Sequence, residues 1–257
     1  MTIKHIVLFS GGTGSWKAAQ RVRDEFGTED MVLLFTDVLI EDKDLYRFIE
    51  EAAVNIGVPL TKIADGRTPW EVFFDVKMMG NTRVDPCSKA LKRDLADKWI
   101  RERFKPEECI MYVGIDWSEI NRYERMAPRK LPYVYKAPLT EPPYLSKTDM
   151  MRDLVIEGIE PPRLYEMGFP HNNCGGFCVK AGQAQFKLLH EKFPERYEQH
   201  AQKEQEFREF IGKDVSILRD RRGGPVKPFP LTDFRKEVES KTKIDEQDFG
   251  GCGCFTD

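Results

Sequence analysis

The stretch His5-Ile-Val-Leu-Phe-Ser-Gly-Gly-Thr-Gly-Ser-Trp16 decides how this chain is read. An apolar run of buried-strand character passes directly into a glycine-rich turn and then into a helix-forming segment. Adjacent glycines let the backbone turn sharply with its N–H groups aimed at one point, and the positive end of the next helix adds to the same field. The expected guest is an anion, held by Ser10, Gly11, Gly12, Thr13, Gly14 and Ser15. The spacing fits neither G-x-G-x-x-G nor G-x-x-x-x-G-K-[ST]. Taken alone, the glycines also suit a strand-to-helix turn that holds no ligand.

Strands and helices alternate outward from this turn. Ile3–Phe9 reads as a strand, Trp16–Phe26 as a helix, Met31–Val38 as a second strand, and Asp42–Ile56 as an amphipathic helix with Leu45, Phe48, Ile49 and Ala52 on one face. Leu60–Ala64 is a third strand; a turn-rich loop from Gly80 to Pro86 precedes a helix over Ser88–Phe104, and Cys109–Ile115 is a fourth strand. Apolar strands separated by helices predict a parallel sheet covered on both faces, with ligands at the strands' C-terminal ends. The second half is broken by prolines at 128, 132, 138, 142, 143, 161, 162 and 170. Helices over Gln183–Lys192 and Glu195–Ile211, a turn over Arg219–Gly224 and a polar tail follow.

At 257 residues the chain suits one or two domains, and its net charge of −3 announces no nucleic-acid partner. Lys89, Lys92, Arg93, Arg101 and Arg103 make one helix locally basic, but its mixed charge reads as a solvated face. No stretch approaches the roughly 20 apolar residues of a membrane span, and no charged-then-apolar leader precedes the first strand. A soluble, cytoplasmic protein without a membrane partner is expected. Six cysteines, mostly late in the chain, point to metal or redox chemistry rather than a disulfide scaffold.

Ser10-Gly-Gly-Thr-Gly-Ser15 resembles the PP-loop S-G-G-x-D-S of the N-type ATP pyrophosphatases and the related phosphoadenosine phosphosulfate reductases, with Gly14 where Asp is usual. Further segments follow that family's order. Thr36-Asp37 is similar to its F-x-D-T stretch; Gly114-Ile-Asp-Trp-Ser-Glu-Ile-Asn-Arg122 to G-I-R-x-x-E-S-x-x-R, with Asp116 at the usual Arg; and Pro138-Leu139 with Leu145–Asp149 to P-L-x-x-W-x-x-x-D-V, Ser146 serving as a helix cap. Leu164-Tyr165…Gly168 leading into Cys174-Gly-Gly-Phe-Cys178 resembles L-Y-x-x-G…C-x-x-C. The resemblance implies a Rossmann-like (HUP-type) α/β fold with a five-stranded parallel sheet flanked by helices. It implies a nucleotide domain over 1–145 and a helical, cysteine-bearing region over 146–257. It also implies that Asp37, Gly114 and Arg122 join the loop around an adenine nucleotide.

Cys87 opens a predicted helix, where the dipole favours a thiolate, and Gly175 and Gly176 let Cys174 and Cys178 face one point. Cys252-Gly-Cys254 ends a glycine-rich tail that can fold back, whereas Cys109 lies inside a strand and reads as structural. Four or five thiolates suit either an iron–sulfur cluster or tetrahedral zinc. Because the reductase branch includes cluster-bearing proteins, the resemblance implies a four-iron (4Fe-4S) cluster on Cys87, Cys174, Cys178 and Cys254, with zinc or free redox thiols as the alternatives. Cys252 and Cys254 are equally candidates for a catalytic sulfur nucleophile. His171, beside Asn172 and Asn173 and next to the cysteine loop, is open to ligating metal or touching phosphate, with a surface loop residue as the more ordinary reading.

Two enzymatic functions follow from the resemblance. In a reductase, a thiolate attacks the sulfur of adenylylated sulfate and a thiol-redox partner is needed; in an ATP pyrophosphatase or sulfurtransferase, the α-phosphate of ATP is attacked and pyrophosphate leaves with magnesium nearby. A non-catalytic nucleotide sensor with structural zinc is the third expectation. The acceptor and the oligomeric state stay open.

Overall fold

The computed structural model describes residues 2–241 and 244–251; Cys252 and Cys254 lie outside the described residues. The elements before the C-terminal region are β1 (Lys4–Leu8), α1 (Thr13–Phe26), β2 (Met31–Asp37), α2 (Lys43–Ile56), β3 (Leu60–Ala64), α3 (Pro69–Val76), α4 (Pro86–Ser88), α5 (Leu95–Arg101), β4 (Cys109–Tyr112), α6 (Ile120–Met126), β5 (Val134–Lys136), α7 (Lys147–Ile156) and α8 (Arg163–Glu166). A π-type stretch, Lys89–Asp94, joins α4 to α5. The five strands form one all-parallel sheet in the order β3-β2-β1-β4-β5. This is the α/β sheet with flanking helices that the sequence predicts.

The alternation of β1 explains the two layers. Val7 and Phe9 point to one face, where they pack with Trp16, Phe35, Phe48 and Ile49 under α1 and α2. Ile6 and Leu8 point to the other, against Leu34, Met111, Ala96, Ile100 and Met126 under α5 and α6. Local signals set the helix ends. Asp42 caps α2 by accepting from the Asp44 N–H at 3.0 Å, and Gly57 closes it in the left-handed conformation. Ser146 and Asp149 form a capping box on α7, as the sequence predicts for Ser146.

The C-terminal region adds α9 (Gln183–Lys192), α10 (Pro194–Ile211), an antiparallel pair β6 (Leu218–Asp220) and β7 (Lys227–Phe229), and α11 (Leu231–Glu239). Its core is aromatic: Phe177, Phe186, Tyr197, Phe207 and Phe234 pack with Trp70 and Phe73 from α3. His200 is buried among them, stacked on Phe177 at 3.5 Å between ring centroids and accepting from the Trp70 indole at 2.9 Å. Conversely, Met150 and Leu154 of α7 pack with the layer around α1. The two cores therefore exchange elements across residue 145.

The sequence reading differs from the structure at short or irregular elements. α3, β5, β6, β7 and α11 have no counterpart in it, and β4 ends at Tyr112 rather than Ile115. Three-residue strands are too short to show a period of two, and α3 is announced by the Thr68/Glu71 capping box instead of by periodicity. Among the described residues, no helix is long and apolar enough to cross a membrane.

Glu204, buried on α10, fastens the C-terminal region by accepting the Ile217 N–H at 2.8 Å and the Leu231 N–H at 2.5 Å. Burial pushes its carboxyl from 4.5 up to about 7 despite these bonds. The folded state thus holds a proton that the unfolded chain releases earlier, so this group's stabilisation is full below about 4.5 and is lost as pH rises through about 7. Denaturant unfolding of Glu204→Gln should show a flatter pH dependence across that interval. The same variant should lose about 1–3 kcal/mol at pH 7, because one backbone donor then faces an amide.

Candidate functional site

The turn after β1 has the geometry of an anion cradle. Gly11 adopts a φ of +79°, and a Cβ there would lie 2.9 Å from Leu45, so only glycine lets the chain turn this tightly over α2. α1 starts at Thr13 with Gly12 as its N-cap, no side-chain cap and no acidic residue in the first turn. Its first internal bond runs from the Trp16 N–H to the Gly12 carbonyl at 3.2 Å, which leaves the N–H groups of Thr13, Gly14 and Ser15 outside the helix's own ladder. The Ser15 hydroxyl donates to the Gly12 carbonyl at 2.8 Å and fixes the turn.

The glycine at 14 has a steric cause. A Cβ on Gly14 would lie 2.6 Å from the Gly114 carbonyl oxygen, and one on Gly114 would lie 2.5 Å from the Ser15 nitrogen. The start of α1 and the segment after β4 touch backbone to backbone, and neither position has room for a side chain.

A cleft of about 180 Å³ opens at this edge of the sheet. Ser10, Gly12, Thr13, Gly14 and Ser15 form one wall, and Gly114, Asp116, Glu119 and Arg122 a second. Lys147, Tyr165, His171 and Asn173 close the third. Seven residues predicted from sequence thus meet here. Gly11 faces away, its carbonyl accepting from the Asn172 amide at 3.0 Å. Arg122 is paired with Glu119. Asp37 lies at the same edge but does not line the cleft; it accepts from the Leu39 N–H, the Tyr46 hydroxyl and Lys62 at 2.8–2.9 Å. Burial pushes its carboxyl up, but these donors outweigh burial and hold it below its usual range.

His171 corrects the surface-loop expectation. Both its ring nitrogens are buried without a hydrogen-bond partner. Burial first, then the nearby charges of Lys147, Lys92 and Arg122, push it down to about 3, so the ring is neutral. Lys147 and Tyr165 escaped the sequence reading although signals existed: the Ser146/Asp149 capping box places Lys147 at the first position of α7, and Tyr165 belongs to the Leu164-Tyr165 motif. Lys147 lies over the Tyr165 ring at 4.0 Å.

Next to this cleft, three of the predicted cysteines share a smaller cavity. Cys87, Cys174 and Cys178 line it together with Asp85, Lys92 and Lys180. Cys87 enters from α4, and Cys174 from a loop where its φ is +55°. The Cys174 N–H donates to the carboxylate of Glu41, which also pairs with Lys92 at 3.3 Å. Cys109 stands apart inside β4, its thiol pushed up to about 11 by burial, in keeping with a structural role. Cys252 and Cys254 lie outside the described residues; the Gly251 N–H donates to the carbonyl of Lys180, which lines this cavity, at 3.0 Å.

Three soft sulfur donors fit a thiolate-bound metal in kind. The free space, about 20 Å³, is that of a single water-sized guest, and a four-iron cluster needs the walls to part. Among the described residues, no three His, Cys, Asp or Glu side chains form a group that could hold a metal ion.

No family model matches the chain, and no curated protein matches it. Among solved structures, it is similar to the phosphoadenylyl-sulfate (PAPS) reductase from Candida auris in a phosphate complex, at 12% identity and a TM-score of 0.44, covering 66% of this chain and 79% of that one.

The backbone contact between Gly14 and Gly114 is directly testable. Gly14→Ala should cost about 1–3 kcal/mol in denaturant unfolding, since two backbones must separate. Gly27→Ala, with nothing within 4 Å of its new Cβ but a φ of +76°, should cost only about 1 kcal/mol.

Proposed function

We propose that the chain binds an adenine nucleotide by its phosphate at Ser10–Ser15 and serves sulfur chemistry through the thiols of Cys87, Cys174 and Cys178. The observation that carries this reading is the sharing of one loop by two sites: His171 and Asn173 line the cleft at the glycine turn, and Cys174 and Cys178, a few residues on, line the thiol cavity. N–H groups at a helix start and a wall bearing Arg122 and Lys147 suit a phosphate. Lys92 and Lys180 set positive charge beside the sulfurs, the setting in which thiolates react.

The sequence resemblance to the phosphoadenosine phosphosulfate reductases supports the reductase version over ATP cleavage, and so does Gly14, which leaves the loop without its usual acid. In that version Gly12–Ser15 hold the nucleotide phosphate, Arg122 and Lys147 balance its charge, and the thiolate of Cys252 or Cys254 is the candidate nucleophile. Cys87, Cys174 and Cys178, with Cys252 or Cys254 as a fourth donor, are the residues that would hold a metal. A thiolate-held iron–sulfur cluster would supply electron transfer there, and zinc would supply only structure.

Anaerobic incubation with adenylylated sulfate and a thiol reductant should release sulfite and AMP, read by ion chromatography. Pyrophosphate release from ATP in place of sulfite would replace the reductase reading with the activating one, and no product from either would leave a nucleotide sensor. Metal content on the same preparation should fall with Cys87→Ser, Cys174→Ser or Cys178→Ser and be unchanged by Cys109→Ser. Equal metal content in all four variants would remove these thiols from the metal reading.

A further inference from the structure

His171 lines the same cleft as Ser10 and Gly12–Ser15, and no hydrogen bond in the fold uses its ring. Both nitrogens are sealed from water without a hydrogen-bond partner, a state that folded proteins avoid unless something else completes it. The segment that carries the ring is also fixed. The next residue, Asn172, donates to the Gly11 carbonyl at 3.0 Å, and the preceding Pro170 carbonyl accepts from Lys147. The side chain is therefore held at the cleft by the same segment that fixes the phosphate loop.

The groups around it are mostly cationic. Lys147 comes from α7 and Arg122, paired with Glu119, from α6; Lys92, paired with Glu41, comes from the π-type stretch. Asp116 and Tyr165 complete the titratable groups of the cleft. Burial and these cations make a charged imidazole costly. An anion placed among these cations reverses that cost, because it offers the ring both an acceptor and a compensating charge.

We propose that His171 is a ligand-contacting residue of this cleft, donating a ring N–H to an anionic oxygen, and that anion binding takes up a proton at the ring. The proposal rests on the cleft being the nucleotide-phosphate site. The sign follows from the surroundings: burial and the charges of Lys147, Lys92 and Arg122 hold the ring's pKa low, and an anion beside it raises it, so binding and protonation favour each other. Affinity for the anion then weakens as pH rises through the bound-state value.

The test is isothermal titration of the whole protein with AMP and, separately, with inorganic pyrophosphate, at pH 6 in two buffers of different ionisation heat. Comparison with His171→Gln removes the contribution of the ligand's own phosphate titration. Wild type should take up a fraction of a proton that His171→Gln does not, while the glutamine, still an N–H donor, retains most of the affinity. His171→Leu, of similar volume and checked for folding by circular dichroism, should lose about tenfold or more. Equal proton uptake in wild type and His171→Gln, or wild-type affinity in a folded His171→Leu, overturns the proposal. Pyrophosphate binding with proton uptake but no AMP binding would sink the nucleotide reading and leave the role of His171 standing. Binding of neither overturns both.

Discussion

The C-terminal edge of the sheet depends on the buried carboxylate of Glu41. It pairs with the buried ammonium of Lys92 and accepts the Cys174 N–H, joining the segment after β2, the π-type stretch and the cysteine loop at one point. Burial pushes Glu41 up from its ordinary range, and Lys92 and the Cys174 N–H oppose that shift. Losing one partner of such a pair leaves a buried charge uncompensated, a cost of about 3–5 kcal/mol. Asp42 repeats the device one residue later, accepting from Arg163 and Arg196, and Arg196 in turn donates to the Gly175 carbonyl. Two consecutive acids thereby hold the 171–178 loop in place.

That anchoring gives the loop its double use. Its first half reaches the phosphate cradle through Asn172 and the Gly11 carbonyl, and its second half delivers Cys174 and Cys178 to the wall that holds Cys87. The π-type stretch under Lys92 belongs to the same arrangement, since a widened helical turn is a common way to aim side chains at a functional site.

The parts legible in the sequence were those carried by local physics. The run from His5 to Trp16 fixes a strand, a turn and a helix start by apolar character and glycine alone, and Leu60–Ala64 and Gln183–Lys192 match their elements end for end. Cys87, Cys174 and Cys178, singled out from their spacing and glycine neighbours, line one small cavity. What was not legible depends on contacts distant in sequence. Asp37 reads as a ligand-facing carboxylate until Lys62 and Tyr46 are seen to occupy it. For His171 the sequence sets a phosphate or metal contact beside the commoner surface-loop reading, and nothing in its neighbours announces that Lys147, Lys92 and Arg122 surround it. The hairpin β6–β7 is three residues a side, too short for its pattern to stand out.

The central claim is that the turn after β1 holds the phosphate of an adenine nucleotide. Titration of isotopically labelled protein with AMP, followed by backbone amide resonances, tests it most directly. The account predicts that the amides of Gly12, Thr13, Gly14 and Ser15 shift together along one saturable curve, as N–H groups do when they take up an anion. Saturable shifts confined to another part of the surface, such as the arginine-lined cleft at Arg83, Arg219 and Arg221, with the loop amides unmoved, would contradict it.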